Sequence, residues 1–254
     1  MSNDDAEILQ PEEAPVILAI ETATRAGSVA VLRGEQVIAS TRGDASASHS
    51  TDLIENIDEV LRAAGLQLQD VDLFAAANGP GSFTGLRIGL ATVKSLAVAL
   101  NRKCAGVSTL AAIAYAAGDS ERTVALLPAG RGEVFAQMFS VRDGNVTAFD
   151  DATHISPEVL LTKYGDYSAV KWAGEGAYAQ LETLSAAAAQ HGIAFVVGDN
   201  RQMSGWSVAA ENHRIAEAVG VLALRDYRAN TILQADQLRA NYVRPSDAEM
   251  KVHA

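Results

Sequence analysis

The chain has 254 residues, 31 Asp plus Glu against 20 Lys plus Arg, a formal net charge of -11, 48% hydrophobic residues and one cysteine. Such a chain can bury the core of one large domain or two small ones, which excludes intrinsic disorder. The acidity argues against holding nucleic acid unaided, because phosphate neutralisation needs a basic face, and the lone Cys104 excludes an internal disulfide or a Cys-based zinc site.

Residues 1–15 carry five acids, two prolines and no base, and are expected to form a disordered acidic tail. Without them 26 acids face 20 bases, net -6, so the acidity is only partly a tail effect. An acidic start is the opposite of a basic signal-peptide region, and no apolar run reaches the ~20 residues of a membrane span. With the sparse cysteine usage, this predicts a cytoplasmic protein.

From Val16 the pattern becomes strand-like. Residues 16–20 are a continuous apolar run of the kind buried on both faces, and residues 27–34 and 36–40 follow around a Gly34-Glu35 turn as an antiparallel meander. Leu53, Ile54, Ile57, Val60, Leu61 and Ala64 then fall on one face of a helix at about 50–64, with Ser50, Thr51 or Asp52 as its cap and Gly65 as its stop. A strand (72–78), a long helix (82–100), a strand (103–107) and an Ala-rich helix (109–117) complete the first half. The second half repeats this order, with strands at 123–127, 133–142 and 145–149, a helix at 157–164, a strand at 170–173, a helix at 178–191 and a strand at 193–197. The duplication predicts an α/β protein of two related subdomains, 16–108 and 109–207, each a mixed sheet flanked by helices. A last helix near 208–227 is expected to pack back on the first subdomain, leaving 228–254 as a C-terminal extension.

The stretch Asn78-Gly-Pro-Gly-Ser-Phe-Thr-Gly-Leu-Arg-Ile-Gly89 follows an apolar strand and opens a helix, a setting that favours anions. It is not a phosphate loop, since Leu86 follows Gly85 where that pattern needs Lys, and its glycine spacing is not that of a dinucleotide fingerprint. Gly81, Gly85 and Gly89 recur every four residues, and each interior glycine costs ~1 kcal/mol against alanine. Something therefore packs very close to them, either a neighbour in the same fold or a helix of another subunit. The residues alone leave both open. Arg87, beside this stripe, is either an intersubunit ion-pair donor or a solvated surface residue.

Candidates for a nucleotide site are Glu21 and Thr24 in the turn after the first strand, and Gly174 and Gly176 in a strand-to-helix turn. The bland alternatives are a capped turn and an ordinary connection. The matching turn of the second half, residues 127–132, has no acid. The histidines, 49, 154, 191, 213 and 253, form no His-x-x-x-His pair, and no Gly-x-Ser-x-Gly elbow appears, so neither a zinc hydrolase nor a serine hydrolase has its motif. His49 reads as a cap or surface residue, and Cys104 as a buried, inert thiol.

Taken together, Ile17-Leu-Ala-Ile-Glu-Thr22, His49-Ser50, the Asn78–Gly89 stretch, Gly132-Glu-Val-Phe135 and Tyr242-Val-Arg-Pro245 resemble the TsaB (YeaZ) family over nearly the whole chain after the tail. The resemblance implies an actin-like, sugar-kinase-like (ASKHA) fold. It also implies a non-catalytic, activating subunit of the bacterial machinery that installs threonylcarbamoyladenosine at adenosine 37 of tRNA. Such a subunit pairs with a homologous TsaD-like catalytic subunit through its first two helices, with a TsaE-like ATPase alongside, and can pair with itself. It meets tRNA only through the complex. The resemblance tips the glycine stripe toward a subunit interface made by Leu53, Ile57, Gly81, Ser82, Phe83, Thr84, Gly85, Arg87 and Gly89. By the same register Thr109 and Ile113 stand where catalytic relatives carry metal-binding histidines, so no catalytic residue and no metal are expected. Glu21 replaces the usual Asp, Ala23 the glycine that lets a phosphate approach, and Pro128-Ala129-Gly130 the usual Asp-Ala-Arg. No cofactor of its own is expected, and ATP with magnesium would belong to the complex. The alternatives are an actin-fold ATPase or kinase built on Glu21 and Gly174-Glu-Gly176 and, ranked last for want of a histidine pair, a glycoprotease-type peptidase.

Overall fold

A computed structural model describes residues 14–43, 49–198 and 204–243, so residues 1–13 of the expected tail lie outside the described residues. The meander is β1 (Val16–Glu21), β2 (Ser28–Arg33) and β3 (Gln36–Arg42). After it come α1 (His49–Ala63), a single 3-10 turn (Leu68–Asp70), β4 (Leu73–Gly79), α2 (Phe83–Ala99), β5 (Lys103–Ser108) and α3 (Thr109–Ala116). These strands form one sheet in the order β3-β2-β1-β4-β5, antiparallel across the meander and parallel from β1 to β5. The second half runs β6 (Ser120–Gly130), β7 (Glu133–Arg142), β8 (Asn145–Ala148), β9 (Thr153–Ile155), α4 (Pro157–Tyr164), β10 (Ala169–Ala173), α5 (Glu175–Ala179), α6 (Leu181–Gln190), β11 (Phe195–Val197), β12 (Gly205–Val208) and α7 (Ile215–Arg228). Its sheet has the order β11-β12-β10-β6-β7-β8, with β9 beside β7. The meander β1-β2-β3 and the parallel neighbours β4 and β5 thus recur as β6-β7-β8 with β10 and β12.

Every residue of β1 is buried, as its unbroken apolar run requires, because both faces of its sheet are covered. On one face Leu18, Ile20 and Phe74 pack against Leu53, Ile57 and Val60 of α1 and Leu90 and Val93 of α2. The other face, with Ile17, Leu32 and Ala75, shares one continuous core with α3, α7 and the near face of the second sheet. There the two helices are exchanged: α3 follows the first sheet but packs on β6 and β7, while α7 follows the second sheet and packs on β1 and β2. The far face of the second sheet is closed by α4, α5 and α6 around Trp172 and Trp206. Lys171 on β10, only 3% exposed, reaches the C-terminal end of α3 and donates to the carbonyls of Ala117 at 3.1 Å, Gly118 at 3.4 Å and Asp119 at 2.8 Å.

Several expectations need correction. The last helix starts at Ile215 rather than near 208, because residues 205–208 form β12, whose four residues are too short a run to set a period of their own. β9 was not foreseen, being three residues long. The helix expected at 178–191 begins at Glu175 and breaks at Gln180, which leaves helical geometry (φ -108, ψ 17) and donates its side-chain amide to the Gly132 carbonyl. α1 begins at His49 with Asp52 in its first turn, and the side chains of Ser50 and Thr51, on which the expected cap falls, lie outside the described residues. The side chain of His49 lies outside the described residues.

Candidate functional site

The turn after β1 closes on itself. Glu21 is wholly buried; its Oε1 accepts from the Thr24 amide at 2.6 Å and its Oε2 from the Thr24 hydroxyl at 2.7 Å, while the Thr24 Oγ1 accepts from the Gly27 amide at 3.3 Å. The adjoining cavity, lined by Glu21, Thr22, Ser28, Asp52 and Asn56, measures about 10 Å³, room for one water. Across the cleft the Gly174-Glu175-Gly176 turn lies directly on β6. A Cβ on Gly174 would sit 2.4 Å from the Leu126 carbonyl oxygen and 3.0 Å from Ile113 Cγ2, and one on Gly176 would sit 2.7 Å from the Leu126 carbonyl carbon. Their lack of side chains is explained by this contact, without a ligand. Thr109 and Ile113, at the register of the catalytic relatives' histidines, are both buried in α3.

Burial pushes the Glu21 carboxyl above its ordinary value of 4.5; the Thr24 and Ala23 hydrogen bonds oppose this and the charge of Glu175 adds to it. A carboxyl raised on folding stabilises most below its unfolded value and loses that contribution as the pH rises through the folded one. The stability of the wild type relative to Glu21→Gln should therefore fall as the pH rises above 4.5, as read by urea denaturation across the acidic and neutral range. A difference that is flat or grows with pH would refute this.

The glycine stripe faces inward. A Cβ on Gly85 would lie 1.9 Å from the Thr22 carbonyl oxygen, and one on Gly89 would lie 2.3 Å from Thr22 Oγ1. The Thr22 hydroxyl also donates to the Gly85 carbonyl at 2.8 Å. The close neighbour that the glycines required is thus the end of β1. Four residues expected at an interface, Leu53, Ile57, Gly85 and Gly89, are buried in this chain, since the apolar stripe of α1 and the glycines of α2 are spent on the first sheet. Of the others, Gly81 and Phe83 are half-buried and Ser82, Thr84 and Arg87 are exposed; Ser82 caps α2 by accepting from the Gly85 amide at 3.2 Å. Ile54, expected on the apolar face of α1, is instead 61% exposed, and Val98 on α2 is 70% exposed.

No local pattern gives Tyr242 a place in the fold. Beyond α7 the chain runs along the free edge of β5, where Leu233 and Cys104 exchange backbone hydrogen bonds of 2.8 and 3.0 Å. Leu238 is buried in the core beneath α2, and the Asn241 amide donates to the Asn78 carbonyl at 2.7 Å. This strap delivers Tyr242 to the start of α2, its ring centroid 5.2 Å from that of Phe83. Arg87, one turn along, lays its guanidinium over the Phe83 ring at 3.9 Å.

Residues 35–246 match the family model described as TsaD: tRNA N6-adenosine threonylcarbamoyltransferase. The chain is 38% identical over 123 residues to the tRNA threonylcarbamoyladenosine biosynthesis protein TsaB of Haemophilus influenzae, covering 47% of this chain and 51% of that one. It is 34% identical over 149 residues to TsaB of Escherichia coli, covering 57% and 64%. The structure of YeaZ from Pseudomonas aeruginosa superposes with a TM-score of 0.72 at 25% identity, over 90% of this chain and 99% of that one. The chain belongs to the TsaB (YeaZ) family.

The matches to these two TsaB sequences span between about half and just under two thirds of their length. The TsaB-family fold is actin-like, as expected: component A of the (R)-2-hydroxyglutaryl-CoA dehydratase of Acidaminococcus fermentans shares it at a TM-score of 0.50 and 12% identity, a likeness of fold alone. Among the described residues no helix is long and apolar enough to cross a membrane.

Proposed function

We propose that this chain is a non-catalytic, activating subunit of the tRNA threonylcarbamoyladenosine transferase complex. It pairs with a TsaD-like catalytic subunit through the outer face of α1 and α2, with a TsaE-like ATPase assisting, and reaches tRNA only through the complex. The observation that carries this reading is the closed turn after β1. Both oxygens of the wholly buried Glu21 carboxyl are engaged by Thr24. This closure supports a turn that holds no metal-bound nucleotide, and the close packing of Gly174 and Gly176 on β6 supports the same at the second turn. ATP and magnesium are left to the partners. The TsaB name of the relatives and the TsaD name of the family model support the pathway and the partner. The exposed Ile54 and Val98 support the face.

The test is co-purification with a TsaD-like subunit, followed by a tRNA modification assay. The pair should co-elute, and modification should need both chains. Activity of this protein alone, or no complex, would refute the proposal.

Self-pairing through the same face has one observation in its favour. The exposed part of α1 bears Glu55, Asp58 and Glu59, whereas α2 has no acid and carries Arg87 and Lys94. A two-fold axis would set each helix against its complement. Sizing the protein alone and with the partner ranks the two assemblies.

A further inference from the structure

We propose that Arg87, Phe83 and Tyr242 form the anchor of the pairing face and receive a carboxylate side chain of the TsaD-like partner, an inference that rests on the pairing proposed above. Arg87 is exposed, yet among the described residues no carboxylate pairs with it, in a chain where acids outnumber bases 31 to 20. Three exposed arginines do find acids, Arg62 with Asp58, Arg142 with Glu121 and Arg228 with Glu35, while Arg122, like Arg87, lies over an aromatic ring, that of Tyr167 at 5.0 Å. Arg87 is instead held by its flat face over Phe83, at 3.9 Å. Stacking occupies the face of a guanidinium and leaves its in-plane N–H fork free, the geometry that takes a carboxylate with two parallel hydrogen bonds.

The stack is braced from two sides. Ser82 caps the helix start one residue before Phe83, and the Asn78–Asn241 hydrogen bond fixes the strap that brings Tyr242 against the ring. An arginine already confined in this way loses little further freedom on binding. Arg and Tyr are also among the residue types that carry most of the energy at protein interfaces. An RNA backbone fits this place less well than one protein carboxylate. A polyanion laid across the face would have to pass Glu55, Asp58 and Glu59 on α1, whereas a single side chain meets Arg87 alone. The C-terminal strap is therefore a positioning element of the pairing face, although α1 and α2 supply most of its surface.

The experiment measures the dissociation constant of the full chain with the TsaD-like subunit for wild type, Arg87→Lys, Arg87→Glu and Tyr242→Ala, with thermal melts as a check on folding. Arg87→Lys keeps the charge but loses the fork and the stack, and should weaken pairing about fivefold; Tyr242→Ala should weaken it about tenfold and Arg87→Glu about a hundredfold. If wild type pairs and all three variants pair equally well, the anchor is refuted and the pairing stands. If wild type does not pair, both proposals fall. If pairing is unchanged while the assembled complex loses tRNA, the stack serves RNA and the carboxylate assignment is overturned.

Discussion

Gly85→Ala should melt about 2–12 °C below the wild type, a net loss of about 1–3 kcal/mol at roughly 2–4 °C per kcal/mol for a chain of this size. Two effects oppose each other. Alanine in a helix interior is favoured over glycine by ~1 kcal/mol. Against that, the new methyl would stand 1.9 Å from the Thr22 carbonyl oxygen, which belongs to the backbone of a turn bonded on every side. Forcing extra volume into a packed site costs about 1–3 kcal/mol and occasionally more, and losing the Thr22 hydroxyl bond to the Gly85 carbonyl adds about 1 kcal/mol. The clash wins. Differential scanning calorimetry decides the matter, and a melt within about 1 °C of wild type would show that α2 can slide off β1 at little cost. A loss of pairing in a Gly85 or Gly89 variant would then report a damaged fold, so the pairing face has to be probed at exposed positions.

Lys171→Met is expected to lower stability by about 3 kcal/mol in urea denaturation. Methionine keeps the apolar stem but removes the ammonium, stranding the carbonyls of Ala117, Gly118 and Asp119 at the end of α3. It also takes a positive charge from the negative end of a helix dipole. Because α3 packs on the second sheet, the loss loosens the joint between the halves; an unchanged midpoint would mean that water replaces the ammonium there without penalty.

The duplicated architecture was legible in the sequence wherever periodicity was strong. The run at 16–20 and the stripe from Leu53 to Leu61 became β1 and α1, and the repeat of element order became two sheets. Legibility failed where an element was too short to set a period, as at the four residues of β12 and the three of β9. The site divided in the same way. That something lies close against Gly85 and Gly89 follows from glycine in a helix; which neighbour it is depends on how β1 and α2 meet, a tertiary fact carried by no local pattern. The strap was invisible for a related reason. Tyr242 and Phe83 stand 159 positions apart, and only the backbone bonds at Leu233 and Asn241 bring them together.

The exchange of α3 and α7 has a consequence for synthesis. A chain leaving the ribosome completes the strands of its first sheet at Ser108, yet α7, which covers one face of that sheet, ends only at Arg228, and the strap along the edge of β5 comes later still. Through roughly half of translation the earliest-made half therefore waits with a bare apolar face and an open edge, the kind of nascent surface that chaperones shield. The N-terminal half is the first to emerge and among the last to be finished.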